Sequence, residues 1–365
     1  MSLEKITKPT LLIDEQKCKR NIQFMVERSK DFGVELRPHF KTHQSLEIGR
    51  WFKEAGVKKI TVSSLEMAKY FSKEWEDITV AFPINIREMD TINELASRIN
   101  LNILVESTET VSFLINHLEH KVNFFIKLNI GNDRTGIYPK DIALIDAIFD
   151  LEMKSDVLNF LGFLGHAGQT YKCRSKEEII SAHISAKSKM IALKFHYQTQ
   201  YPNLILSSGD TPSASVATDF SGLDELRPGN FVFYDLMQVE IGSCLYKDVA
   251  VALACPIVSI HSDRNELVIY GGGIHLSKDK INIGNRDTYG QVVKISKSGW
   301  SEIIPEMYVK SLSQEHGVVV VPPSNISDIK IGDLLLVLPV HSCMTANLMK
   351  VYTTLEGKSI EMMRN

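Results

Sequence analysis

Residues 35–45 read ELRPHFKTHQS, and Lys41 within them decides how the chain is read. The run through Leu36, His39 and Phe40 predicts a short strand, and Thr42-His43-Gln44 opens a helix. Lys41 therefore stands at the carboxyl end of a strand, at a strand-to-helix turn. In a barrel of parallel strands and outer helices, that face carries the chemistry. Crowding by Arg37, His39 and His43, together with burial, is the means of lowering a lysine pKa there. A deprotonated lysine amine is what Schiff-base chemistry requires. The plain alternative is a solvated lysine at a strand end.

Outward from that turn the same unit recurs. Short apolar strands are read at 59–63, 78–82, 101–105, 123–128, 160–164, 204–207 and 231–234, with helical periodicity after most of them. Ser107 is the expected N-cap of the helix over 110–118. Counted from Leu36, the eight strands predict a closed (β/α)8 TIM barrel over residues 10–242. After Gly242 the texture changes. β-Branched runs at 249–260, 266–270, 291–295, 317–321 and 334–337 are separated by turn clusters such as HSDRN and PPSN. They predict an all-β domain over 243–365, with residues 1–9 packing on it. A cleft between tightly joined domains is the expected ligand site.

Composition excludes several classes. The chain has 365 residues, 44% of them hydrophobic and 23% charged, with a net charge of −3, so neither nucleic acid nor a membrane is an expected partner. No apolar run is long enough to span a bilayer. The first ten residues, MSLEKITKPT, lack the apolar core of a signal peptide. Five widely spaced cysteines without a CxxC fit a reduced, cytoplasmic protein.

The loops after the strands hold the chemistry-bearing residues. SSGDTPS (207–213) follows the seventh strand, and Arg227-Pro228-Gly229-Asn230 is read as beginning the eighth. Barrel enzymes bind phosphate in the loops after strands seven and eight, and glycines with the hydroxyls of Ser208 and Thr211 suit that task; an ordinary turn has the same composition. Arg134 in GNDRTG is a permanent planar cation. His166 and Tyr171 in GHAGQTY can pack on a ring or move a proton. His341 and Cys343, two apart at the end of LLLVLP, are expected on one strand face, where both can reach one metal and leave coordination positions open. His316 in SQEHG either lies near that metal or caps a strand. Gly271-Gly272-Gly273 lacks a phosphate-loop pattern and is read as a turn.

RPHFKTH, GNDRTG, GHAGQTY, SSGDTPS, RPGNFVFYD, SQEHG and HSC occur in one order along nearly the whole chain. That ordered set resembles the D-threonine aldolase / D-serine dehydratase family of alanine-racemase-like pyridoxal-phosphate enzymes. The resemblance implies a homodimer of barrel-plus-β-domain chains. It implies that Lys41 carries pyridoxal phosphate as a Schiff base, with Arg134 by the phenolic oxygen. His166 and Tyr171 would flank the ring, and Ser208, Gly209, Thr211, Gly229, Asn230 and Tyr234 would surround the phosphate. His341 and Cys343 match the family's metal pair; zinc suits a thiolate best, with manganese or magnesium as alternatives. The implied substrates are β-hydroxy D-amino acids. Loss of the α-proton to Lys41 and of the hydroxyl would give a keto acid and ammonia, and Cys343 favours this dehydratase outcome. Aldol cleavage of D-threonine or 3-hydroxy-D-aspartate, with His316 as base, is the alternative. A racemase lacks a second base here, and a non-catalytic pyridoxal-phosphate carrier would lack the β-domain.

Overall fold

The computed structural model describes residues 5–296 and 299–364. The chain separates into two compact units, Gln23–Gly229 and Met1–Ile22 with Asn230–Asn365. The expected boundary at 242/243 thus falls at 229/230. Residues 10–22 part from the barrel because strand β1 (Thr10–Ile13) pairs with strands of the β unit.

The first unit carries eight parallel strands: β2 (Glu35–Leu36), β3 (Lys59–Val62), β4 (Asp77–Pro83), β5 (Asn100–Val105), β6 (Val122–Leu128), β7 (Leu158–Gly165), β8 (Ile205–Ser208) and β9 (Glu225–Leu226). Each pairs with its neighbour in the order β2-β9-β8-β7-β6-β5-β4-β3. The sheet closes where Phe40 N donates to Thr61 O (2.8 Å) and Thr61 N to Pro38 O (2.9 Å). This is the expected TIM barrel. Local chemistry starts its helices: the side chains of Ser64, Ser107 and Ser175 accept from the backbone N of Met67, Thr110 and Glu178, satisfying donors that have no intrahelical partner.

Two strand assignments need correction. Asn230–Val232 is a turn of 3-10 helix rather than an eighth strand, and Tyr234 has φ of 48°. An apolar run buried on every side has no alternation to separate a strand from a turn. The true eighth strand is Glu225–Leu226, so Arg227-Pro228-Gly229 follows a strand instead of beginning one. The strand at Lys41 is also short: Glu35–Leu36 is ladder-paired, and Pro38 has no N–H to continue it.

The barrel interior is part apolar and part ionic. Leu104, Phe125 and Leu164 form an apolar layer. Arg37, 2% exposed, reaches Glu225 (Nε to Oε1, 2.8 Å) and Asp77 (Nη1 to Oδ1, 2.5 Å). Ser207 donates to Glu225 Oε2 and Asn102 to Asp77 Oδ1. A buried guanidinium is tolerable only with this degree of pairing.

The second unit is built on β10 (Val251–His261), β11 (Glu266–Tyr270), the hairpin β12 (Ile281–Ile283) and β13 (Arg286–Thr288), β14 (Gly290–Ser296), β15 (Gly299–Leu312), β16 (His316–Val320), β17 (Leu334–Pro339), β18 (Val351–Thr354) and β19 (Ser359–Glu361). The sheet order is β11-β16-β15-β14-β17-β10-β1-β18-β19, and an added β10–β11 pairing closes six of the strands into a ring. Among the described residues no helix is long and apolar enough to cross a membrane.

Candidate active site

In the barrel unit, the turn after β2 presents Lys41. Its side chain is exposed, and its backbone N donates to His39 Nδ1 (3.4 Å). The crowding expected around it is only partly present. Arg37 is committed to Glu225 and Asp77. His43 turns into an aromatic cluster with Phe40, Phe52 and Phe71, where burial lowers its pKa to about 3. A residue two positions away along a turn points elsewhere, which sequence proximity does not reveal. His39 does face the site: burial, then the Lys41 and Arg227 cations, hold it well below its usual range.

His166 follows β7. Its Nδ1 donates to the Gly209 carbonyl, and burial lowers its pKa to about 3, with Lys41, Lys127 and Arg134 adding to the shift. The ring is neutral near pH 7, with Nε2 bare. That state suits packing against a flat ring better than relaying a proton. The Tyr171 ring lies 6.3 Å from it, and the Tyr171 hydroxyl accepts from Thr211 N (3.4 Å). Arg134 is exposed on its loop.

The loop after β8 has a defined build. Asp210 Oδ1 accepts from Ser213 N (2.6 Å) and Thr170 Oγ1 (3.0 Å), so Asp210 caps a short helix. Gly229 N donates to Thr211 Oγ1 (3.3 Å). A Cβ on Gly209 would come 2.7 Å from Arg227 Cβ, and one on Gly229 would come 2.8 Å from the His39 carbonyl oxygen. These glycines let the backbones after β8, β9 and β2 converge within side-chain distance of Ser208 and Lys41. The donor set of hydroxyls and main chain fits a phosphate, and an accessible lysine amine beside neutral imidazoles fits an aldehyde cofactor.

Two residues here gain a place at the site that the sequence reading does not give them. Lys127, on β6, is 5% exposed and donates to Leu128 O (2.8 Å). Burial first, then Arg227 and Arg134, lower its pKa to about 7. Arg227 donates to Ser207 Oγ and to Gly165 O, and burial brings it down to about 9. The available signal was a charge inside NFFIKL, a strand otherwise apolar. Lys127, Arg134 and His166 line one tight recess. A larger cavity of about 390 Å3, lined by Glu106, Ser107, Thr110 and Tyr138, contains none of the expected residues. The chemistry follows the recess, because size alone carries no functional groups.

In the β unit, β17 ends at Pro339, and His341 is the N-cap of a helix over Ser342–Met349. His341 and Cys343 are therefore brought together at a strand-to-helix turn instead of along one strand face, since the chain leaves the sheet before either residue. Burial disfavours the His341 cation, but its hydrogen bond to Cys343, the charges of Cys343 and Asp235 and its hydrogen bond to Asp279 raise its pKa to about 10. His341 Nδ1 lies 2.9 Å from Asp279 Oδ2. Asp235 Oδ2 accepts from Ser342 N (3.0 Å) and Ser342 Oγ (3.2 Å). The amide nitrogen of Asn230 donates to Asp235, to Ser342 and to Cys343 Sγ (3.5 Å). The Asn230 side chain thus braces the histidine–cysteine turn. Tyr234 is buried, its backbone N bonded to Asn230 O (2.8 Å). His316 opens β16 on the exposed surface, 6.4 Å ring to ring from Tyr270. Among the described residues no cluster of three metal-type ligands forms. An imidazole and a thiol side by side still fit a soft divalent metal with open positions.

Comparison with known proteins follows this geometry. The family model "Alanine racemase, N-terminal domain" matches residues 13–236, and "Putative serine dehydratase domain" matches residues 250–355. The chain is 29% identical to a D-serine dehydratase of Dictyostelium discoideum, over 96% of this chain and 93% of that protein. It is 26% identical to a D-threo-3-hydroxyaspartate dehydratase of Delftia sp. (strain HT23), over 95% and 93%. A solved D-threo-3-hydroxyaspartate dehydratase, a cysteine-to-alanine mutant in the metal-free form, superposes with a TM-score of 0.92 at 24% identity, covering all of both chains.

Proposed function

The chain belongs to the family of the alanine racemase N-terminal domain, and from that premise we propose that it is a pyridoxal-phosphate- and metal-dependent lyase of β-hydroxy D-amino acids, acting as a D-serine or D-threonine dehydratase. The observation that carries this reading is the His341–Cys343 turn, braced by Asp235 and Asn230, in a chain whose barrel also presents Lys41 at a strand end. A pyridoxal-phosphate carrier needs the lysine and has no use for the pair. The names of the two dehydratase relatives support the same reaction class.

In this reading Lys41 holds the cofactor, His166 packs on its ring with Tyr171 beside it, and Arg134 answers the phenolic oxygen. Ser208, Gly209, Thr211 and Gly229 hold the phosphate, with Asn230 contributing main chain and Tyr234 its hydroxyl. His341 and Cys343 hold a divalent metal, zinc by the softness of the thiolate. When bound, pyridoxal phosphate supplies an electron sink at Cα and the metal a Lewis acid for a departing hydroxide. Lys41 is the base that takes the α-proton. Loss of that proton and of the hydroxyl leaves an enamine, which water converts to a keto acid and ammonia. His39 and His166, held neutral by burial, add no positive charge to that face. The working unit is taken as a homodimer.

The test is product identity. Purified protein supplied with pyridoxal phosphate and zinc is given D-threonine, with L-threonine as control. Ammonia with 2-oxobutanoate supports the dehydratase. Glycine with acetaldehyde replaces it by the aldolase reading, which a D-threonine aldolase relative at 21% identity keeps in view. That outcome would give the base role to His316, as the aldolase alternative has it.

A further inference from the structure

We propose that Asp279 is a positioning residue for the metal: it fixes the His341 ring so that Nε2 is the atom offered to the ion. This rests on the reading of His341 and Cys343 as ligands. Asp279 Oδ2 stands 2.9 Å from His341 Nδ1. A carboxylate only accepts, so Nδ1 carries the proton and the lone pair of a neutral ring resides on Nε2. A ligating histidine whose second nitrogen donates to a carboxylate has its ring plane fixed and its basicity raised.

The contact is built from both sides. Asp279 N donates to Ser277 Oγ (3.2 Å), and Ser277 holds φ of 69°, which turns the chain after the helical turn Gly273–Leu276. Three residues past Ser342, Thr345 Oγ1 donates to Leu276 O (3.1 Å). The helix that starts at His341 is thereby tied to the segment carrying Asp279. Asp235 grips Ser342, between the two ligands, and Asn230 reaches the Cys343 sulfur. A third of the His341 side-chain surface is exposed, and beside its hydrogen bond to Cys343 the ring is held through Nδ1 by Asp279.

The experiment is zinc affinity by competition with a chromophoric chelator, on wild type and on D279A, D279N and H341A, each loaded with pyridoxal phosphate. D279A should weaken zinc binding by about 10- to 100-fold. D279N keeps a carbonyl oxygen that accepts from Nδ1–H and should fall between D279A and wild type. Cofactor absorbance should not move, and the melting temperature of the zinc-free D279A and D279N proteins should fall only by the small amount expected of one part-exposed ion pair, whereas a merely structural role would show in stability and leave zinc affinity unchanged. D279A binding zinc as tightly as wild type, with H341A weakened, overturns the inference and leaves the metal pair intact. D279N as weak as D279A overturns it as well, because charge rather than the acceptor would then matter. Wild type and H341A binding zinc equally would sink the metal reading itself.

Discussion

Lys127 is a base buried inside a barrel strand, and its cost can be followed with pH. Its ordinary pKa of 10.5 falls to about 7, through burial first and then the Arg227 and Arg134 cations, with Glu106 opposing. At 1.36 kcal/mol per unit, that gap amounts to about 5 kcal/mol. Below pH 7 the amine is charged in both folded and unfolded chains, and the folded state bears the full cost of a buried cation. Between about pH 7 and 10.5 the unfolded chain binds the proton and the folded chain does not. Stability therefore rises with pH through that window.

Lys127→Met removes the charge at similar length and gives up the hydrogen bond to Leu128 O, at about 1 kcal/mol. The variant should be more stable than wild type at pH 6, and its advantage should shrink steadily up to pH 10. Urea unfolding of both cofactor-free proteins, followed by circular dichroism at several pH values, reads the difference and cancels the other titrations they share. A difference that stays flat from pH 6 to 10 refutes the reasoning, since the amine would then keep its proton in the fold.

Three further outcomes are expected. Lys41→Ala should abolish the visible absorption of lysine-bound cofactor and lower kcat by at least about 100-fold, with an unchanged far-ultraviolet spectrum. Gly229→Ala puts a methyl 2.8 Å from the His39 carbonyl oxygen and should cost about 1–3 kcal/mol, seen as a lower Tm together with weaker cofactor binding. Glu225→Gln leaves Arg37 buried with one carboxylate partner in place of two and should cost about 3–5 kcal/mol in chemical denaturation, with little effect on KM.

The barrel was legible because its strands are short, apolar and fully buried, and because helical periodicity alternates with them. It was misread where burial and apolarity part company. β9 is Glu225–Leu226, and its first residue is a carboxylate neutralised by Arg37, which follows a strand nearly two hundred positions earlier. No local pattern announces such a strand. FVFY erred the other way, as a turn enclosed by apolar neighbours. At the site, residue types were readable and directions were not. His341 and Cys343 stood out as a metal-type pair, yet their geometry comes from a chain that leaves the sheet at Pro339. Asp279 lies 62 positions from its histidine and only the folded β unit brings them together.

Lys127 marks a signal that was present and not used. A lysine within NFFIKL cannot be left as an unpaired cation in a dry barrel; it must find counter-charges, lose its proton or contact something polar that the strand pattern does not include. In the folded chain it keeps one carbonyl acceptor and faces two arginines. No structural requirement of the barrel explains placing Lys127 and Arg134 toward one recess, because an apolar residue would fill the same space at lower cost. Such an arrangement is economical only if something anionic or electron-withdrawing is held there, as a phosphorylated pyridine aldehyde would be. A charged residue in an otherwise apolar strand of a barrel is thus evidence for a ligand before any motif is consulted, and it points to the same recess as Arg134 and His166.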